Sequence, residues 1–122
     1  KPNMVLPGKQ SSQKTSAQEV AEATVRTLKR VVPAALPGIL FLSGGQSPQQ
    51  ATENLNAING IGDTPWVLSF SFSRALQEPV MNKWKGMDQN RSSAGQVFVH
   101  RSRCNSAAVM GKYIKSMESQ QI

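Results

Sequence analysis

Apolar positions along this chain change period several times, and each change marks an element. Val20, Ala21, Thr24, Val25, Leu28 and Val32 recur three and four residues apart, the spacing that gathers side chains on one face of a helix. Ser16 with Glu19 forms a capping box at its start. Arg26, Lys29 and Arg30 take the solvated face and the last turn, where cations suit the helix dipole, and Pro33 ends the helix. The run Ile39-Leu40-Phe41-Leu42 has no alternation at all and predicts a strand covered on both faces. It stops at Ser43-Gly44-Gly45. A new helix is then signalled by Ser47 as cap, Pro48 at the first position and Gln50 closing a second capping box.

That second helix is predicted to run from about 48 to 59, with Ala51, Leu55 and Ile58 inward and Gly60 stopping it. Trp66 to Phe72 reads as another strand, in which Phe70 and Phe72 alternate with serines, and Ser73-Arg74 leads into a helical start at Ala75-Leu76-Gln77. Residues 79–85 predict a short helix carrying Val80, Met81 and Trp84, broken at Gly86. A longer helix from about 91 to 110 would bury Ala94, Val97, Phe98, Cys104 and Ala108, and residues 112–122 read as a polar, mobile tail. The order strand, helix, strand, helix with buried strands points to a parallel α/β architecture.

Length and charge narrow this picture. A chain of 122 residues is enough for one modest core. It contains no apolar run of the ~18 residues a membrane span needs and no signal-peptide pattern. Cys104 is the only cysteine, so neither a disulfide framework nor a Cys-rich zinc site is expected, and a reducing, cytoplasmic setting is the simplest reading. His100 has no neighbouring pattern of metal ligands in the sequence. The net charge of +7 favours anionic partners. Its lysines and arginines are dispersed without interleaved aromatics, which argues against nucleic acid and reads as solvated surface plus a few residues holding a phosphate.

Candidate chemistry gathers at strand ends, where parallel α/β folds place it. The Ser43-Gly44-Gly45 turn can bring backbone N–H groups to a phosphate or carboxylate, although ligand-free turns share the pattern. Arg74 offers a planar fork of donors for phosphate, or alternatively a surface ion pair with Glu78 one turn on. Lys1, read without further context, is a solvated terminal charge.

Five ordered blocks then carry a resemblance to a known family. They are Lys1-Pro2-Asn3-Met4-Val5 with Pro7-Gly8, Phe41-Leu42-Ser43-Gly44-Gly45-Gln46-Ser47, Asn54-Leu55-Asn56-Ala57-Ile58-Asn59, Pro65-Trp66 with Ser69-Phe70-Ser71 and Arg74-Ala75-Leu76-Gln77, and Asn105-Ser106 with Gly111-Lys112-Tyr113. In order and near-family spacing they resemble the C-terminal part of class I, Schiff-base fructose-1,6-bisphosphate aldolase. The resemblance implies an α/β fold in which residues 1–122 are the C-terminal segment of a single TIM (β/α)₈ barrel domain, from the end of strand 6 through helix 8. Residues 1–111 would supply barrel strands and helices and 112–122 the mobile tail.

The implied activity is a lyase of glycolysis and gluconeogenesis, with reversible aldol cleavage of fructose 1,6-bisphosphate to dihydroxyacetone phosphate and glyceraldehyde 3-phosphate. Lys1 matches the catalytic lysine that forms the Schiff base. Ser43 and Gly44 match the phosphate-binding turn, Arg74 the arginine that grips the same phosphate, and Ser73 a backbone N–H donor usually carried by Gly or Ala. No metal and no cofactor are implied, because the iminium itself serves as the electron sink. The partners implied are a phosphorylated sugar and, for the complete protein, a homotetramer. The family's acid–base residues precede the position of Lys1, so little aldolase turnover is expected from these residues alone. Its C-terminal tyrosine has no match in Ser119-Gln120-Gln121-Ile122. A non-catalytic phosphate-binding or protein-interaction module derived from the barrel is the alternative.

Overall fold

The structure is a computed structural model that describes residues 1–120. Helix α1 spans Ala17–Val31, strand β1 Gly38–Phe41, helix α2 Pro48–Ile61, strand β2 Val67–Phe70, helix α3 Arg74–Trp84 and helix α4 Arg91–Val109. Both predicted capping boxes form. The Ser16 hydroxyl accepts from the Glu19 N–H while the Glu19 carboxylate accepts from the Ser16 N–H, and Ser47 with Gln50 repeats the arrangement at the head of α2. Each box satisfies two of the N–H groups a helix start leaves without intrahelical partners.

The two strands pair in parallel, Gly38 opposite Val67 through Phe41 opposite Phe70. The N-terminal segment lies along the other edge of β1, where the Leu42 N–H donates to the Pro2 carbonyl at 2.9 Å. Helix α1 packs on α2, α2 on α4 and α3 on α4, and the core forms where they meet one face of the sheet. Ile39, Phe41 and Leu68 lie there with Val20, Ala21, Val25 and Leu28 of α1 and Leu55 and Ile58 of α2. Trp66 closes the bottom, its indole N–H donating to the Pro33 carbonyl at 2.9 Å.

Several expectations are corrected by this packing. Among the described residues β1 is covered on one face only: Ile39 and Phe41 are buried, whereas Leu40 is 47% exposed and Val67, opposite Gly38, is 67% exposed. Gly60 does not end α2, which continues to Ile61 and stops at Gly62 in the left-handed region, φ 69. The two helical pieces expected around Pro79 are a single α3, in which that proline sits inside the helix at the loss of one backbone bond. In α4, Phe98 is 45% exposed. The inward face is instead Ala94, Arg101, Cys104, Asn105, Ala107 and Ala108, of which two are strongly polar.

Tyr113 is buried, its N–H donates to the Asn56 side chain, and Lys115–Ser119 forms a 3-10 helix that brings Glu118 back onto α4. These contacts pack Tyr113 and Glu118 against α2 and α4. Residues 121 and 122 of the expected tail lie outside the described residues.

Candidate functional site

The turn after β1 is closed by the Gln46 N–H donating to the Ser43 carbonyl at 3.1 Å. Gly45 stands at φ 79, the value a type II turn requires at its third residue and one that glycine adopts without a Cβ penalty. Asn3 clamps the turn from the N-terminal segment, its side-chain amide donating to the Gly44 carbonyl at 3.1 Å. Gln46 is held from the other side by Asn54 of α2 at 2.8 Å. Among the described residues neither Gly44 nor Gly45 gives its N–H to another group.

The heads of the two helices that follow the strands differ in a way that matters for anions. At α2 the capping box already claims the Ser47 and Gln50 N–H groups. At α3 the cap residue Ser73 makes no side-chain cap bond among the described residues and sits at φ −95, ψ −86; its carbonyl takes the Leu76 and Gln77 N–H groups, and the Arg74 and Ala75 N–H groups stay open. A helix start with open N–H groups carries partial positive charge and suits an anion. Arg74, the first residue of α3, is exposed, and among the described residues it makes no ion pair with Glu78.

Gly44, Gly45 and Arg74 line one cavity of about 800 Å³, together with Asn3, Gln46, Asn54 and residues of the 6–15 loop. Ser43 is buried directly behind the turn, and the exposed Ser73 uses its carbonyl to accept from the Leu76 and Gln77 N–H groups. Thus two of the predicted phosphate residues, Gly44 and Arg74, share a cavity, and Ser43 and Ser73 are their chain neighbours. Lys1 does not join them. It is exposed and lines a separate, largely apolar cavity of about 480 Å³ between the N-terminal segment, α1 and the start of β1.

A second polar assembly lies between α4, α2 and the C-terminal segment. Arg101, 3% exposed, donates to Glu118 at 2.5 Å, to the Pro48 carbonyl at 3.1 Å and to the Thr52 hydroxyl. Thr52 in turn donates to the Asn105 side-chain oxygen at 2.6 Å. Tyr113 donates its phenol to the other Glu118 oxygen at 2.9 Å. Burial works to raise the Glu118 carboxyl pKa, but the hydrogen bonds from Arg101, Tyr113 and His100 outweigh it and hold the group below the usual carboxylate value. Burial and the facing Glu118 push the Tyr113 phenol well up, so it stays a neutral donor. The only advance signal was an arginine at position 101, on the same helical period as Ala94, Cys104 and Ala108.

This assembly also revises the reading of His100. The ring lies 3.8 Å from the Cys104 sulfur and 3.5 Å from Glu118, a grouping of possible metal ligands that α4 and the C-terminal segment create together. No helix among the described residues is long and apolar enough to cross a membrane.

Comparison with known proteins gives these geometries a family. The family model "Fructose-bisphosphate aldolase class-I" matches residues 1–122. The chain is 52% identical over 113 residues to fructose-bisphosphate aldolase of Plasmodium falciparum, covering 93% of this chain and 31% of that one. It is 53% identical over 114 residues to fructose-bisphosphate aldolase 2 of Caenorhabditis elegans, covering 93% and 31%. With the cytoplasmic isozyme of Spinacia oleracea it shares 51% identity over 114 residues, covering 93% and 32%. It superposes on a solved structure of the Plasmodium falciparum aldolase, in complex with TRAP and a small-molecule inhibitor, with a TM-score of 0.90 at 51% identity. That match covers 93% of this chain and 33% of the other, so the chain spans about a third of the length of the relatives it matches. The chain belongs to the class I fructose-bisphosphate aldolase family.

Proposed function

We propose that the chain is the C-terminal part of a (β/α)₈ barrel lyase and that it carries the phosphate grip and the nucleophile of reversible fructose 1,6-bisphosphate cleavage. The observation that carries the reading is the shared cavity of Gly44 and Arg74, with unclaimed N–H groups at the Gly44-Gly45 turn and at the head of α3. Backbone donors and a guanidinium fork bind a phosphate dianion without any further group. The half-covered sheet supports the same reading, because Leu40 and Val67 occupy the face that a closed barrel fills with side chains from its other strands.

In this reading the Lys1 amine attacks the ketone carbon of the sugar phosphate, water leaves, and an iminium forms. Its positive charge draws the electron pair of the breaking C3–C4 bond into an enamine, while the departing aldehyde gives up its hydroxyl proton to a base. Fixing the phosphate between Gly44, Ser73 and Arg74, with Ser43 supporting the turn, spends remote binding energy on holding the carbonyl carbon against the amine. The proton-handling groups would come from barrel strands other than those described. Activity of the complete enzyme, its homotetrameric assembly and its cytoplasmic location are parts of this proposal, the last supported by relatives named as cytoplasmic isozymes.

Borohydride reduction in the presence of dihydroxyacetone phosphate tests the reading. A stable mass adduct mapped to Lys1 is the expected result; a folded sample that binds the phosphate and forms no adduct removes the catalytic role. The second reading, a phosphate-binding module without catalysis, is favoured by one observation, that Lys1 lines a cavity separate from that of Gly44 and Arg74.

A further inference from the structure

We propose that His100, Cys104 and Glu118 form a binding site for a zinc ion, which pins the C-terminal segment to helix α4. The proposal is independent of the aldol reading, because none of the three residues lines the cavity of Gly44 and Arg74.

Geometry supplies the first argument. His100 and Cys104 are one turn apart on α4, and Glu118 arrives from the 3-10 helix at Lys115–Ser119. Their ligand atoms all lie within 4.8 Å of one another, with Nε2 of His100 3.8 Å from Sγ of Cys104 and 3.5 Å from Oε2 of Glu118. Zinc bond lengths of about 2.3 Å to sulfur and about 2.0–2.1 Å to nitrogen or oxygen place tetrahedral ligand atoms about 3.3–3.6 Å apart. His100 Nε2 therefore needs to approach the other two atoms by only a few tenths of an ångström, while Cys104 Sγ and the Glu118 carboxylate, within 4.8 Å of each other, close by up to about 1.2 Å.

Ligand chemistry agrees. A mixed sulfur, nitrogen and oxygen set suits zinc better than magnesium or calcium, which prefer oxygen alone. The carboxylate is oriented from outside: Tyr113 donates to Oε1 and Arg101 to Oε2, the supporting contacts that fix a metal ligand's position. Oε2 keeps a second lone pair for the ion. A cavity of about 360 Å³ opens on His100 and Glu118, bounded also by Lys83 and Gln96, and provides an entry path and room for a water as the fourth ligand.

Charge balance is acceptable despite the guanidinium of Arg101. The ion's two positive charges meet the Glu118 carboxylate and a Cys104 thiolate, leaving the Arg101 charge, and that of the exposed Lys83 across the cavity, as the local excess. On binding, the Cys104 S–H bond breaks, its proton goes to solvent and its electron pair forms the bond to zinc, while neutral His100 donates its Nε2 lone pair. One proton is released for each ion bound.

Cobalt(II) is the probe, added to the 122-residue chain with far-UV circular dichroism followed in parallel. The expected result is one equivalent bound, with tetrahedral visible bands and a near-ultraviolet thiolate-to-cobalt band, all abolished by one equivalent of zinc. Cys104→Ser should remove the thiolate band, and His100→Gln and Glu118→Gln should each weaken binding at least tenfold. Tyr113→Phe should keep the band and weaken affinity by about 10–100-fold, as for loss of an outer-shell partner. Absence of the thiolate band in the helical wild-type chain overturns the proposal, as does a band that survives Cys104→Ser. Unchanged affinity in Glu118→Gln overturns it too, since it would leave the C-terminal segment outside the site.

Discussion

Replacing Arg101 by methionine is the most informative perturbation of this fold, because its cost depends on which charge is left behind. The guanidinium is 3% exposed and joins three elements, with bonds to Glu118, Pro48 and Thr52. Breaking a buried ion pair by removing one partner costs about 3–5 kcal/mol when the survivor is trapped without compensation. In Arg101→Met the survivors are not trapped. Glu118 is 21% exposed and keeps the Tyr113 phenol, the Thr52 hydroxyl keeps Asn105 as its acceptor, and the unpartnered Arg101 Nε disappears. The expected cost is therefore at the lower edge, about 2–3 kcal/mol, roughly that of one or two charge-assisted hydrogen bonds.

Glu118→Gln leaves a guanidinium that cannot lose its proton in a water-poor site, and should cost more, about 3–5 kcal/mol. The double variant should be no less stable than Glu118→Gln alone. Urea titrations of the three variants at pH 7 measure this order. A cost below about 0.5 kcal/mol for Arg101→Met, the surface-pair value, would refute the reasoning, as would strict additivity in the double variant.

The pH dependence of the same pair has a definite sign. The Glu118 carboxyl lies below its ordinary 4.5 in the folded chain, so its contribution is fully present above 4.5 and is lost as pH falls through the lowered folded value. The stability difference between wild type and Arg101→Met should shrink over that acid window. Arg74→Ala should weaken binding of a sugar phosphate by about 1.5–3 kcal/mol, or roughly 10–150-fold, and leave the unphosphorylated sugar unaffected; equal losses by calorimetry would contradict the assigned role. Gly45→Ala should cost about 1–2 kcal/mol in urea, since φ 79 is a left-handed value and no neighbour among the described residues lies within 4 Å to add a clash. Trp66→Phe should cost about 0.5–1.5 kcal/mol for the bond to the Pro33 carbonyl alone, beyond any packing loss, and an unchanged midpoint would show that this bond contributes nothing.

What the sequence reveals and what it hides divide along physical lines. Helix starts were legible because capping boxes are local: Ser16 with Glu19 and Ser47 with Gln50 need only three residues of context. The face of α1 was legible because its apolar period is clean. The one-sided burial of β1 was not, since an unbroken apolar run cannot say which face a partner covers. Neither was the end of α2, because Gly60 tolerates helical dihedrals and only tertiary contact at the half-buried Ile61 carries the helix on to Gly62. The Arg101 assembly was hidden most deeply. Its partners lie 17, 49 and 53 residues away, and no periodicity links positions so distant.

That hidden assembly bears on the legible one. Pro48, whose carbonyl Arg101 holds, is the first residue of α2 and follows the Ser43-Gly44-Gly45 turn by three residues. Asn54, which fixes Gln46 at the end of the turn, lies two residues beyond Thr52, another Arg101 partner. The turn is thus gripped from two directions, by Asn3 of the N-terminal segment and by a helix head anchored through Arg101 to Glu118. Anion donors that are backbone N–H groups cannot be tuned by side-chain substitution; only their orientation can change, and that orientation is set by what holds α2. Displacing the C-terminal segment should therefore loosen phosphate binding without altering any group that touches the phosphate. Truncation before Tyr113, read by phosphate affinity alongside hydrogen exchange at Gly44 and Gly45, separates this from a purely global loss of stability. Faster exchange at the turn with the core amides still protected is the expected pattern, and a uniform rise across the chain would reject the link.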